Sequence, residues 1–447
     1  MASTYLSRAG GTPTSTRKFT ISFWVKKSNI GGDEFLVSTF SDSNNRMNVD
    51  FNSSNYITFI CKVSGSIVIR KRPSRLLRDT NAWYHIVIAV DTTQSTAADR
   101  CKFYINGVQE TAFSIDTNPS QNADLNVSGD HFIGAYDNDG SPANFFGGLL
   151  SHVHYTDGYT YAASTFGETD STTGEWKINT NPSVTYGTNG YFIMKDNGSV
   201  TDQSGQSNNF TLGAGTLTSL QDCPSNVFAT WNVIMNNAED GIWSNGNTTI
   251  APNGDATYLY APTTIGVSSG KWYSEHMITG GNGYGMLGAI SEDNITDGFR
   301  QQTGLGTLSN SFGFRCRDGA IRMASSNTTY GSAPGTSSAI LGMALDMDNK
   351  KVWYHVNGTY VTYGGGVGNP GSGTYGFDFS SLSGDTFFIT CGDDTASGYG
   401  NFKSNFGNGI FGTATVSSAG TNASNIGVFE YDVPTGFTAL STKGLNL

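Results

Sequence analysis

The sequence predicts an all-β protein: two antiparallel β-sandwich domains, jelly-roll-like, joined by an ordered connector. Three observations lead there. Short runs of aromatic and β-branched residues recur along the chain, broken by small polar turn residues, and no segment carries a helical period. The 447 residues include 57 glycines and only 14% charged residues, yet 12% are aromatic, so the chain is turn-rich without being disordered. Lastly, a strand, a turn and a second strand ending in Asn-Gly occur twice, from Trp83 to Gly107 and from Leu341 to Gly358. Asn-Gly supplies the positive φ that a tight hairpin needs. A recurring hairpin in a chain too long for one ordinary core points to two sandwiches built around one topological element.

The elements follow in order. Residues 1–165 form the first domain. Phe19 to Val25 alternates with period two and places Phe19, Ile21, Phe23 and Val25 on one face. Strands are then expected near 34–40, 47–51, 56–61 and 66–70, followed by the first Asn-Gly hairpin, 130–134 and 145–155. Residues 166–225 are rich in turn formers and read as an ordered connector with a small hairpin around Tyr191 to Met194. Residues 226–410 return to short strands and form the second domain, and 411–447 read as a C-terminal tail.

Charge and composition exclude several classes. The net charge is −11, and no basic stripe suited to nucleic acid is present. The single basic cluster, Arg70-Lys71-Arg72 with Arg75 and Arg78, reads as a solvated hairpin tip, with contact to an acidic polymer as the alternative. The five cysteines, Cys61, Cys101, Cys223, Cys316 and Cys391, have neither zinc-site nor disulfide-framework spacing and read as buried thiols. Residues 1–8 show no apolar export signal, and no run is long enough to insert in a membrane.

Glycoside hydrolysis requires two carboxylates flanking the scissile bond. The nearest pattern is Glu168-Thr169-Asp170 with Glu175, interrupted by a turn, so no catalytic residues and no enzyme activity are expected. No nucleophile elbow is present. The six histidines read as half-buried strand residues, and His152 and His154 as at most half of a metal site. Asp137-Asn138-Asp139-Gly140 is an acidic turn whose Asp137 and Asp139 suit Ca²⁺ as hard oxygen ligands, although turn chemistry alone accounts for such a run. Asp346 to Asn349 and Asp393-Asp394 read as plain turns. Sugar binding calls for aromatic rings beside amide and carboxylate groups. Tyr155, Asp157, Tyr159 and Tyr161 meet that need, as do Tyr360 and Tyr363 with their following glycines. The same loops could equally pack at a subunit interface.

In residues 1–165, the segments Phe19 to Val25, Trp83-Tyr84-His85-Ile86, Phe103 to Gly107 and Phe145 to Gly148 resemble the concanavalin A-like lectin/glucanase superfamily in its laminin-G/pentraxin-like branch. In residues 226–410, Gly270-Lys271-Trp272-Tyr273-Ser274-Glu275, Gly285 to Gly288 and Leu341 to Asp348 with Tyr354 to Gly358 resemble a SPRY domain. The segments Tyr5 to Arg8, Phe166 to Ser171, Asp222 to Thr230 and Val433 to Leu440 are similar to structural proteins of marine bacteriophages. These resemblances imply two related sandwiches, Ca²⁺ at a loop end as an optional ligand with no cofactor required, and a place on the virion surface after synthesis in the bacterial host cytoplasm. They imply a tail-fibre or receptor-binding component that binds host-surface polysaccharide, works as a homo-oligomer (a homotrimer foremost), and contacts other virion proteins. A capsid decoration or fibre protein with an architectural role, and a polysaccharide depolymerase, are the alternatives.

Overall fold

Phe19, Ile21, Phe23 and Val25 point one way from the strand Lys18–Lys27, and each is at most 1% exposed. The neighbouring strand Trp83–Asp91 turns Ile86, Ile88 and Val90 onto the same core. The period of two separates this apolar core face from a second face of Thr20, Ser22, Trp24 and Lys26, which is buried as well. The computed structural model describes residues 3–125, 128–138, 140–196, 198–234, 241–252, 260–281, 283–295, 304–334, 337–394 and 400–447. Among them there is no α-helix, and no helix is long and apolar enough to cross a membrane. The chain divides into two units, one of residues 1–219 with 223–225 and one of residues 220–222 with 226–447.

The first unit is a sandwich of two antiparallel sheets. The eight-stranded sheet runs in the order Phe113–Thr117, Ser66–Pro73, Ile57–Val63, Asn45–Phe51, Glu34–Asp42, Asp130–Ile133, Tyr5–Arg8 and Thr211–Ala214. The six-stranded sheet runs Tyr191–Ile193, Gly148–Asp157, Lys18–Lys27, Trp83–Asp91, Cys101–Ile105 and Val108–Gln109. Residues 166–219 are therefore not a separate connector. They add an outer strand to each sheet and bury Phe166, Tyr191, Phe192 and Phe210 to 4% exposure or less. Ahead of those strands the chain covers the outer face of the six-stranded sheet. Ala163 and Phe166 pack on Val87, the Trp176 indole N–H donates to His85 Nδ1 at 3.0 Å, and the Tyr186 hydroxyl meets His154 Nδ1 at 2.9 Å.

The second unit pairs a nine-stranded with a six-stranded sheet around a core that includes Trp231, Phe312, Leu345 and Ile389. The segment expected as a tail is packed rather than free. Thr438–Ala439 adds in parallel to Lys271–Gly281, and Phe429, Val433 and Phe437 bury against Tyr273 and Trp353. The Glu275 carboxylate anchors it by accepting the backbone N–H groups of Glu430 and Tyr431, each at 2.8 Å. Burial pushes the Glu275 carboxyl up to about 7 against those hydrogen bonds.

Both Asn-Gly turns have the same local build. Asn106 and Gly107 have φ of 48° and 79°, and Asn357 and Gly358 have 48° and 81°. The Asn106 Oδ1 accepts the His85 backbone N–H at 2.7 Å, and the Asn357 Oδ1 accepts that of Ile340 at 2.9 Å. A ring from the covering segment lies on each glycine: Trp176 on Gly107 and Tyr431 on Gly358.

Candidate functional site: the open face of the eight-stranded sheet

In the first unit both inner faces form the core, and residues 161–186 cover the outer face of the six-stranded sheet. The outer face of the eight-stranded sheet carries polar and aromatic side chains instead. Strand register arranges them in rows. Ser38, Asn48, Ile60 and Arg70 sit side by side in one row, and Phe40, Arg46 and Lys62 in the next. A third row holds Phe35, Asp50 and Thr58, extended by Arg72, whose Nε donates to Thr58 Oγ1 at 3.0 Å.

The floor of this face is shielded and the upper groups are half-open. Ser38, Asn48 and Thr58 are at most 3% exposed, whereas Arg46, Asp50, Lys62, Arg70 and Arg72 are half-buried. Burial raises the Asp50 carboxyl to about 7, and the Asn48 amide hydrogen bond with the Arg72 and Arg70 charges pulls the other way. Tyr136 packs on Phe35 and Phe40 at ring distances of 4.9 and 6.0 Å and carries the Arg46 guanidinium 4.9 Å from its centroid. Tyr56 lies 5.8 Å from the Arg72 guanidinium. The face thus offers cations, hydroxyl and amide groups and ring edges, the mix that sugar recognition uses.

The structure corrects the reading of the basic cluster. Arg70, Lys71 and Arg72 lie within the strand Ser66–Pro73 and not at a hairpin tip. Lys71 turns inward, is 2% exposed and pairs with Asp116. Arg70 and Arg72 turn outward, as the pleat requires of residues two apart.

The loop from Tyr155 to Tyr161 holds less of a site than its residues suggest. Tyr155 is fully buried, stacked on Tyr191 and edge-on to His131, and Asp157 is buried too. Asp157 Oδ2 accepts the backbone N–H of Thr14 at 2.6 Å and of Asn189 at 3.0 Å, which ties three loops together. Neither can reach a glycan, because a residue ending a strand beside the core faces in. Tyr161 is half-buried and accepts the Thr185 N–H at 2.8 Å. Tyr159 alone is open, at 39%.

In the second unit Tyr360 is half-buried edge-on to His355, and Tyr363 packs on Tyr330 at 4.9 Å. The open ring beside them is Tyr375, which is 46% exposed, has φ of 57° and rests on Gly366. Sequence patterning missed it, since nothing in Thr374-Tyr375-Gly376 announces a left-handed tyrosine.

Asp137 Oδ1 accepts the Gly140 N–H at 2.7 Å, the bond of a plain acidic turn, and Asp139 lies outside the described residues. Among the described residues there is no group of three His, Cys, Asp or Glu that could hold a metal ion. His152 and His154 straddle a register break, with His152 at φ 49°, and do not align as a ligand pair. Glu168 is exposed on a small hairpin, while Asp170 binds Lys177 at 2.6 Å. Asp394, at the bend after the strand Phe387–Asp393, is buried, with Arg315 and Arg317 each at 3.0 Å and Arg322 beside it. A cleft of ≈ 550 Å³ in the second unit is lined by Ser268, Lys271, Trp272, Asp348 and Phe437, and its one ammonium already faces Asp346 at 3.2 Å.

No curated protein matches the chain significantly. Solved structures similar to parts of it include the SPRY domain of human HERC1, at 14% identity over 39% of this chain and 96% of that one, with a TM-score of 0.29. A heptameric SAP-like pentraxin from Limulus polyphemus is 15% identical over 48% of this chain and 91% of that one, with a TM-score of 0.31. A putative carbohydrate binding protein from Bacteroides ovatus is 16% identical over 49% of this chain and 58% of that one, with a TM-score of 0.31. Residues 2–164, which hold all but two strands of the first sandwich's two large sheets, match the family model of the concanavalin A-like lectin/glucanases superfamily.

Proposed function

We propose that this chain binds carbohydrate without cleaving it, as a tail-fibre or receptor-binding component on a phage virion surface. The observation that carries the binding is the outer face of the eight-stranded sheet, where half-buried Arg46, Lys62, Arg70 and Arg72 stand with the rings of Tyr136 and Tyr56 over a shielded polar floor. The carboxylates of the rows on that face are Asp50 and, opposite Phe40, Asp130, on strands separated by a third and so at least two strand spacings, about 9.5 Å, apart. Retaining hydrolysis needs two, about 5–5.5 Å apart. The match of residues 2–164 to a lectin and glucanase superfamily supports a sugar ligand and leaves the reaction to the site. In this reading the chain works as a homotrimer attached to other virion proteins and contacts host-surface polysaccharide.

Titration calorimetry of the full chain against host polysaccharide, run beside a reducing-end assay, tests it. Saturable binding with no new reducing ends is expected. Absence of binding to any saccharide overturns the reading, and steady release of reducing ends replaces it with a depolymerase. Immunogold labelling of purified particles places the chain on tail or capsid, and sedimentation equilibrium reports the oligomer.

A further inference from the structure

We propose that the open face of the eight-stranded sheet takes an acidic polysaccharide, one whose sugar repeats carry carboxylate or sulfate groups. This rests on the carbohydrate-binding reading and narrows its ligand.

Four cations, Arg46, Lys62, Arg70 and Arg72, stand on the outer face of three adjacent strands. Against them stand Asp50 and, beside Lys62, Asp42. Among the described residues the ion pairs of the first unit fall elsewhere: Arg17–Asp124, Lys18–Asp91, Lys71–Asp116, Arg75–Glu110, Lys102–Asp99 and Lys177–Asp170. Among the described residues none of the four makes a direct ion pair, and Asp50 and Asp42 attract them only at longer range, in a chain of net charge −11.

Two of them also carry an unmet hydrogen-bond donor. The Nε groups of Arg46 and Arg70 are shut from water without an acceptor. Such a donor is unfavourable unless something supplies an oxygen. A guanidinium offers its donors as a planar fork, which fits a carboxylate or sulfate better than a lone hydroxyl.

Arg46 and Lys62 are cross-strand partners, and Arg70 and Arg72 lie on the next strand, so the charges run across three strands about 4.7–4.9 Å apart, along which an extended anionic chain can lie. Between the cations the floor of Ser38, Asn48 and Thr58 is buried and already bonded to the Ala135 carbonyl, Asp50 and Arg72, so the ligand meets the cations and not the floor. The overall negative charge disfavours nucleic acid, which demands broad neutralisation.

The test uses the full chain with alginate, dextran sulfate, neutral dextran and a single-stranded oligonucleotide as probes. Alginate or dextran sulfate is expected to bind more tightly than dextran, with an affinity that falls as salt rises. Arg46→Gln and Arg70→Gln are each expected to weaken that binding about tenfold at an unchanged thermal midpoint. Lys62→Gln, on a half-exposed side chain, keeps the test alive should an arginine variant misfold. Equal, salt-insensitive affinity for dextran that survives all three variants sinks the acidic ligand and leaves carbohydrate binding standing. No binding to any polysaccharide sinks both. Tighter binding to the oligonucleotide also overturns the proposal.

Discussion

Gly107 and Gly358 show how little freedom single positions have here. Each sits at positive φ, and a Cβ there meets the ring of Trp176 or Tyr431. Gly107→Ala and Gly358→Ala are each expected to cost about 2 kcal/mol or more, from left-handed strain plus a displaced ring. Urea unfolding of each variant measures it, and a loss below about 0.5 kcal/mol would show that the ring yields freely. The Asn-Gly pairs were readable in the sequence because turn chemistry is local. The rings above them were not, since Trp176 and Tyr431 arrive from residues about 70 positions downstream. Tyr375 is a similar case: its left-handed backbone is imposed by the loop around it and leaves no trace in composition.

At the scale of elements, alternation exposed most strands and mislaid two boundaries. The inward face of Lys18–Lys27 was legible because apolar period two marks the core side of a strand, although the other side of it and of Trp83–Asp91 is buried too. The outer strands Tyr191–Ile193 and Thr211–Ala214 are short and sit among turn residues, so the segment holding them read as a connector. The functional rows were hidden for a different reason. Arg70 and Arg72 look like one charge run with Lys71 until strand register separates the faces. A fragment of residues 1–165 is expected to aggregate or melt well below a fragment of residues 1–225. The shorter piece loses a strand from each large sheet and bares Val87, His85 and Trp24. Circular dichroism melts of the two fragments decide it, and equal midpoints would show residues 166–225 to be dispensable.

Across the whole chain, buried histidines set the response to acid. Burial holds His85 and His276 down at about 3 and His152 and His355 at about 4, and pushes His131 and His154 well below the usual value. An unfolded histidine takes up its proton near 6.5. The stability of these neutral rings is therefore complete above that pH and is lost as pH falls toward 4, at about 1.4 kcal/mol per pH unit for each ring. The raised carboxyls Glu34, Asp50, Glu110 and Glu275 act in the opposite sense, but they are fewer. Unfolding free energy is expected to drop steeply from pH 6.5 to pH 4.5, and denaturant titrations across that range would contradict this if they came out flat. Hydrogen bonding at the two Asn-Gly turns bears on the lifetime of the chain. Asparagine followed by glycine ages by attack of the glycine nitrogen on the asparagine side-chain carbonyl. At Asn106 and Asn357 that carbonyl is held by a backbone N–H, and the Gly358 nitrogen is itself bonded to His355 Nδ1 at 3.1 Å. Folding thus withholds both bonds from succinimide chemistry. Isoaspartate at either position, read by peptide mapping, becomes a lasting chemical record that a molecule has at some time come undone.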